Sequence, residues 1–487
     1  MKNSFNKIIF YSRPWEVNFH IELAGMLRSL FPGATIVFAS FFIRVVEECR
    51  CKDIECLYLP EMLTSADGSY DEGIVNMIDE EINNAFGTGL NVILNGERFL
   101  PETNKGISAF EMRHIRVLSA LIEERTLSIS SMYDHFVYCL AGALAINRSG
   151  AHIAYVGCGV PGGRVLPLRA PSTAWSGGGV AITRDEYDRM REEIASKKSS
   201  QRIEYMKILD SSSANKVSQV TVFNRLASFL KRRRNDHYDY LHGSYFGKKK
   251  NILLLEFFSR SVREFNKTPV PQYDISDLKE IRKKQGIFVA LHMEPEATLL
   301  MYSPWMNDQI QFIRLLALSL PADKCIYVKE NPKMIGIRKP EYYTELKKIP
   351  NVYLVDHAIE SNELIANTLL TASIAGTVTV EAYLMGKPSL CAGKPPFYFM
   401  ATYRLYEKNI QDLKFFLEAV FNNEIRVDVS SDSHRELFEK WSEMSFEAQS
   451  VPVLGLDGDL HVPSSKDNVS RYIASIKAIL NSNNILE

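Results

Sequence analysis

The sequence predicts an α/β protein built from two doubly wound domains, and three observations carry that expectation. Short apolar runs alternate with helically spaced apolar residues over the first 183 residues. A charged stretch without a convincing buried strand follows. From Ile287 the alternation returns with greater regularity, as expected of helices packed on parallel sheets.

In order, residues 7–11 (KIIFY) read as a strand. Phe19, Leu23, Met26 and Leu30 recur at helical spacing until Pro32-Gly33 ends the helix, and residues 34–40 (ATIVFAS) form the next strand. Residues 90–95 (LNVILN) and 152–156 (HIAYV) continue the pattern as strands. The segment 184–285 reads as a charged helical connector. It holds an amphipathic stretch at 218–230, then Lys231-Arg232-Arg233-Arg234, Lys248-Lys249-Lys250, and a run at 251–258 (NILLLEFF) that fits strand or helix. A second domain, 286–466, has strands at 287–291 (IFVAL), 325–329 (CIYVK), 352–355 (VYLV), 371–374 (TASI) and 388–392 (PSLCA), with helices such as 308–320 and 377–385 between them. A last helix, within 467–487, is free to pack on either half.

With 487 residues, the chain has room for two domains. Its 57 Lys plus Arg against 58 Asp plus Glu give a net charge of −1, which excludes a global attraction to nucleic acid, and no nucleic-acid partner is expected. No apolar run reaches the roughly 20 residues that cross a bilayer, and the first residues turn polar too soon for a signal peptide. A cytoplasmic protein is expected. The two basic runs fit either a solvated connector or a peripheral face resting on the anionic inner membrane. Of seven cysteines only Cys49, Cys51 and Cys56 cluster, and no His or fourth Cys lies at finger spacing, so neither a zinc site nor any other metal or cofactor is expected.

In open parallel sheets ligands bind beyond the carboxyl ends of strands. In the second domain those ends carry His292, Glu294, Glu296 and Thr298, then Lys329, Glu330 and Asn331, then Ser373, Gly376 and Thr377 opening a helix that includes Glu381. A glycine followed by hydroxyl residues at a helix start offers backbone N–H groups and a favourable dipole to a phosphate. Lys329 adds a cation, and Glu381 could accept hydrogen bonds from a ribose. Ser373 or Thr377 as a mere helix cap is the competing reading.

Taken together, these segments resemble the capsule polysaccharide biosynthesis family of glycosyltransferases, which includes the bacterial Kdo transferases of capsule assembly. Residues 291–298 (LHMEPEAT) look like its LHxQPE(A/R)T segment, 329–332 (KENP) like its K-x-H-P strand end, and 373–388 (SIAGTVTVEAYLMGKP) like its S-G-T-x-G-x-E-A-L-x-x-G-K-P block. Weaker echoes are Trp15-Glu16 and Asn95-Gly96-Glu97-Arg98. Asn331 and Glu294 replace the family's His and Gln. The resemblance implies a GT-B fold, two Rossmann-like domains facing across a cleft, with a nucleotide sugar held mainly by the second domain through the residues just named. A CMP-sugar such as CMP-Kdo is the donor it favours, and a growing glycan or lipid-linked glycan the acceptor.

For the catalytic group, Glu16 and His20 lie four apart on one helical face, and Asp134 beside His135 offers a second acid–base pair. Each has a plainer reading: helix-terminal charge for Glu16, packing for His20. Asp457-Gly458-Asp459 and the glycine-rich run 156–163 are set aside as loops, the latter because its glycine spacing does not fit a dinucleotide fingerprint. The function expected is a metal-independent glycosyltransferase of bacterial surface polysaccharide assembly. A teichoic-acid-type phosphotransferase using a CDP-activated donor and an inactive scaffold are the alternatives.

Overall fold

The apolar run Lys7–Tyr11 becomes the centre of a parallel sheet because Ile8, Ile9, Phe10 and Tyr11 are all buried, with helices available to cover both faces. The computed structural model describes residues 5–97, 107–157, 164–179, 182–196, 222–251, 272–335, 337–449, 453–454 and 460–485. They form two units: 1–180, 202–260 and 443–487 make the first, and 181–201 with 261–442 the second.

In the first unit β1 (Lys7–Tyr11), β2 (Thr35–Ser40), β3 (Cys56–Tyr58), β4 (Thr126–Ser130) and β5 (Ala151–Val156) are parallel. β6 (Arg164–Ala170) runs antiparallel beside β5, and the two-residue β7 (Thr173–Ala174) pairs with β6. The order is β6-β5-β4-β1-β2-β3. The chain therefore winds outward from β1 through β2 to β3, returns, and winds the other way from β4, so the order reverses between β1 and β4. The helix Phe136–Asn147 is apolar all round, and ten of its twelve residues are buried between the sheet and the helix Glu72–Phe86.

The second unit is regular: β8 (Gly286–Ala290), β9 (Cys325–Lys329), β10 (Val352–Val355), β11 (Leu370–Ser373), β12 (Ser389–Cys391) and β13 (Tyr403–Arg404) are parallel in the order β10-β9-β8-β11-β12-β13. Its reversal lies between β8 and β11. The mixed α/β class with parallel sheets is therefore as expected, and β8 to β12 fall within a residue or two of the predicted runs, whereas β13 was not read from the sequence.

Beyond Ser442 the chain rejoins the first unit. β14 (Phe446–Glu447) pairs antiparallel with β6, and β15 (Val453–Leu454) and β16 (Leu460–His461) form a small hairpin. The helix Lys466–Ser482 packs on the helix Val17–Leu30, with Phe19 and Tyr472 edge to face at 4.7 Å. Val469, Ile476 and Ile479 enter the same core as Phe10 and Ile129. Each such burial stabilises by about 1.5–3 kcal/mol.

The boundaries read from sequence and the compact units differ accordingly. Residues 443–466 were expected in the second domain but lie in the first unit. The connector is divided, Arg184–Ser196 in the second unit and Val222–Leu241 in the first.

One element is corrected. Residues 90–95 form a helix, Leu90–Asn95, rather than a strand. A short apolar run does not distinguish a strand from a buried helix turn. Here Leu90 and Ile93, one turn apart, are the buried pair, and the Asp79 carboxylate accepts the Leu90 N–H at 2.6 Å. The 252–258 part of the strand-or-helix run, the loop 158–163, Arg98 and Asp457-Gly458-Asp459 lie outside the described residues. No helix among the described residues is long and apolar enough to cross a membrane.

Candidate functional site

Each sheet reverses its order once, and a crevice beyond the strand ends at such a reversal is where α/β proteins bind ligands. In the second unit the two chain ends at that point are tied together. The Nε2 of His292, two residues beyond β8, accepts the Ala375 N–H at 3.2 Å. Its proton therefore sits on Nδ1, which donates to Glu296 Oε2 at 3.1 Å. Ser373 Oγ, at the end of β11, lies 3.1 Å from the same Nε2 and accepts the Gly376 N–H at 3.1 Å. Only glycine fits at 376, because a Cβ there would stand 2.5 Å from Ser373 Oγ.

This turn differs in one respect from the phosphate cradle expected of it. The Ala375 and Gly376 amides are occupied by His292 and Ser373. The next N–H groups are occupied as well: Thr379 donates to the Gly376 carbonyl at 3.2 Å, and Val380 and Glu381 donate to the Thr377 carbonyl at 2.9 and 3.1 Å. Thr377 makes no side-chain cap.

The other predicted donor residues divide into two groups. Glu294 joins the His292 cluster: Gln309 donates to its Oε1 at 2.5 Å and accepts the His292 N–H at 2.6 Å. Glu330 is buried behind it, accepting from Arg338 Nε at 2.7 Å, Tyr343 at 2.8 Å and the Asn331 N–H at 2.7 Å. Arg338 also binds Glu294 Oε2 and the His292 carbonyl, each at 2.6 Å. Gln309, Arg338 and Tyr343 escaped the sequence reading, since single polar residues in loops and helix starts carry no spacing signal. Glu330 is thus a brace for the loop rather than an open ligand.

Lys329 and Asn331 turn elsewhere. Lys329 Nζ donates to the Ile359 carbonyl and lies 3.4 Å from Ser361 Oγ. Burial lowers its pKa, opposed by Glu360, Glu381, Glu363 and Asp356, so Lys329 and Glu381 do sense each other. Asn331 caps the turn Pro332–Met334 through the Lys333 N–H at 3.0 Å. Thr298 Oγ1 is buried with no hydrogen-bond partner among the described residues.

The first unit assembles a charged cluster at its own reversal. Arg13, just beyond β1, forms a buried ion pair with Asp134, beyond β4, and Arg13 Nε donates to the Tyr138 hydroxyl at 3.3 Å. His135 lies 3.6 Å from Asp134 and places Nδ1 3.1 Å from Glu97 Oε1. Glu97 also accepts the Phe136 N–H at 2.9 Å, where the helix dipole favours a carboxylate. The weak Asn-Gly-Glu echo was the only sequence trace of Glu97.

Glu16 stands at the start of the next helix, 5% exposed, accepting from Trp15 Nε1 at 3.1 Å. Its Oε2 is buried without a hydrogen bond of standard geometry among the described residues. Burial pushes this carboxyl up to about 6, and Asp134 adds to the rise, against the opposing pull of Arg13, Ser131 and Trp15. His20 faces the core instead. Its ring lies against Phe10 and Phe19, Nδ1 meets Ser12 Oγ at 2.7 Å, and burial pulls its pKa down to about 3. That setting is one of packing.

On the helix Val222–Leu241, Lys231, Arg232 and Arg234 are exposed, as are Leu230 in its middle and Leu241 at its end. Lys248, Lys249 and Lys250 are exposed just beyond it. Among the described residues no cluster of three His, Cys, Asp or Glu side chains has metal-binding geometry.

No family model matches the chain. Protein FixF of Sinorhizobium fredii (strain NBRC 101917 / NGR234) is 28% identical over 133 residues, so the match spans 26% of this chain and only 28% of that relative. Among solved structures, the beta Kdo 2,7 transferase KpsC of Thermosulfurimonas dismutans is 13% identical, covering 99% of this chain and 100% of that one, with a TM-score of 0.32. The S. aureus MnaA–UDP structure is 10% identical over 98% and 96% of the two chains, with a TM-score of 0.26. The glycosyltransferase VinC in complex with dTDP is 11% identical over 97% and 100%, with a TM-score of 0.24. The fold described above rests on the sheet order, not on these likenesses.

Proposed function

We propose that this chain is a GT-B-type glycosyltransferase that moves a sugar from a nucleotide-activated donor, a CMP-sugar such as CMP-Kdo, to a glycan or lipid-linked glycan of a bacterial surface polysaccharide. The observation that carries the reading is the locked His292–Ser373–Gly376 turn at the sheet reversal of the second unit. It falls within two of the three segments that resemble the capsule family. The charged cluster at the first unit's reversal supports a separate chemical role there.

In this reading the second unit binds the donor. The Lys329 ammonium stabilises the negative charge that develops on the departing nucleotide phosphate. The first unit handles the acceptor. Glu16, as carboxylate, takes the proton of an acceptor hydroxyl, whose oxygen bonds to the anomeric carbon while the bond from that carbon to the phosphate oxygen breaks. A carboxyl titrating near 6 suits that task. Arg13 pairs with Asp134 beside it.

Calorimetry of the full chain with cytidine and uridine nucleotides tests the assignment. Wild type should bind one of them and Gly376→Asp should lose it. A wild type that binds no nucleotide sinks the proposal. A phosphodiester in the product, seen by mass, would replace it with phosphotransfer.

The basic helix supports a peripheral position on anionic lipid. Each Lys or Arg at such a surface contributes about 1 kcal/mol. Neutralising Lys231, Arg232 and Arg234 together should abolish sedimentation with phosphatidylglycerol vesicles at low salt, and unchanged sedimentation would remove the membrane from this account.

A further inference from the structure

The chain beyond β12 is bound by its backbone to the neighbouring strand end. The Ala392 N–H donates to the Ser373 carbonyl at 3.1 Å, the Gly393 N–H to the Ile374 carbonyl at 2.7 Å and the Lys394 N–H to the Tyr302 carbonyl at 2.7 Å. Gly393 admits no side chain, since a Cβ there would stand 2.7 Å from Ser303 Cβ and 2.8 Å from the Tyr302 carbonyl oxygen. Lys394 is therefore fixed next to the end of β11, where the Ser373–Gly376 turn begins.

The side chain of Lys394 is held by rings rather than by acids. Its Nζ lies 5.6 Å from the ring centroids of both Tyr398 and Tyr406. Tyr398 opens the turn Tyr398–Met400 beyond β12, and Tyr406 sits in the turn Leu405–Glu407 just beyond β13. Because β12 and β13 are parallel, the ammonium and both rings stand on the carboxyl edge of the sheet, the edge that carries the His292–Ser373–Gly376 turn. Among the described residues Lys394 makes no ion pair and no side-chain hydrogen bond. Glu407, in the same turn as Tyr406, pairs with Arg404 at 3.1 Å. Lys394 is only half-buried, so solvent and a ligand can reach it. Attraction to an aromatic face orients an ammonium without neutralising it.

A nucleotide-activated sugar brings several negative oxygens to this edge, and many of the groups expected to meet them are engaged. The amides of Ala375, Gly376, Thr379, Val380 and Glu381 donate within the protein, and Lys329 Nζ donates to the Ile359 carbonyl. The geometry points to Lys394 as the ammonium that holds an oxyanion of the bound donor, a phosphate of the nucleotide or a carboxylate on its sugar. For the identity of the ligand this rests on the glycosyltransferase reading. Lys394 itself lies outside the three segments that resemble the capsule family, and its place here comes from the strand ends and the two tyrosines.

Calorimetry of the full chain with paired ligands tests it. UDP against uridine and CMP against cytidine isolate the phosphate, whereas UDP-glucuronate against UDP-glucose and CMP-N-acetylneuraminate against CMP isolate the carboxylate. Lys394→Met keeps the aliphatic stem and removes the charge. Where the phosphate is the anion held, this variant should bind the nucleotide at least about tenfold more weakly with nucleoside binding unchanged, as for loss of a hydrogen bond to a charged group. Where the carboxylate is held, nucleotide affinity should stay and the preference for the carboxylate-bearing ligand should fall by a similar factor. Lys394→Arg should restore either loss, with the Tm of both variants at the wild-type value. A Lys394→Met protein that binds every ligand as the wild type does overturns the inference. So does an equal loss for nucleoside and nucleotide, or a marked fall in Tm, either of which would make the lysine a structural residue. A wild type that binds none of the ligands overturns the glycosyltransferase reading and this assignment with it.

Discussion

The two sheet reversals solve the same topological problem with their buried charge in different places. In the second unit an imidazole, a hydroxyl and two backbone amides join β8 to β11, each hydrogen-bonded to another, and the buried Arg338–Glu330 pair lies behind them in the loop. In the first unit, β1 and β4 are joined by a buried guanidinium–carboxylate pair with two further carboxyls nearby. Burying charge is expensive, and a buried ion pair is weak evidence of stabilisation. The lesson is that the second reversal joins its strand ends through hydrogen bonds and keeps its ion pair behind them, whereas the first joins its strand ends through the ion pair itself, with ionisable groups held in a low-dielectric setting.

Three substitutions can break or sharpen that contrast. Arg13→Met should have the largest effect: it strands Asp134 without its cation, and denaturant unfolding should show a loss of about 3–5 kcal/mol. A loss below about 1 kcal/mol would mean that the first reversal is no more charge-dependent than the second.

Glu16 comes next. Its folded carboxyl holds a proton more tightly than in the unfolded chain, 4.5 rising to about 6. Its contribution is therefore fully stabilising below about pH 4.5 and is lost as pH rises through about 6, a swing of about 2 kcal/mol. Glu16→Gln should flatten the stability profile across that window and, if Glu16 is the proton acceptor, abolish the rise of transfer rate with pH. Asp239, which burial also raises to about 6, titrates in the same window with the same sign, so the difference between wild type and variant is the quantity to read. An unchanged difference from pH 4.5 to pH 7 would remove Glu16 from the cluster's charge balance.

The smallest effect belongs to His292→Leu. Leaving the Ala375 amide unpaired should lower stability by about 1–2 kcal/mol, with a clear loss of nucleotide affinity. A loss as large as that of Arg13→Met would erase the distinction between the two reversals.

Much of this was legible beforehand. Residues 325–329 and 352–355 were readable as strands because a strand buried on both faces is apolar throughout. Gly376 was singled out as a residue freeing backbone N–H groups for a phosphate, whereas in the structure its amide donates to Ser373 Oγ, a contact no local pattern reveals. Leu90–Asn95 was misread because six residues of apolar run carry too little periodicity to separate strand from helix. His20 and Glu16 share a helical face, yet one packs in a core and the other meets Arg13. Their difference lies in what β1 and β4 bring beside them.

By itself the sequence determined the alternation of strands and helices and, for β1, β2, β5 and β8 to β12, the strand ends and the residue types placed there, because each depends on neighbours a few residues apart, whereas β3, β4, β6 and β13 were not read. The tertiary structure alone decided three other matters. It returned the helix Lys466–Ser482 to the first core, paired Arg13 with Asp134 across 121 residues, and left the Asn235 amide buried with no hydrogen-bond partner among the described residues. Burial and pairing between distant segments follow from how the chain closes on itself, and no local pattern encodes them.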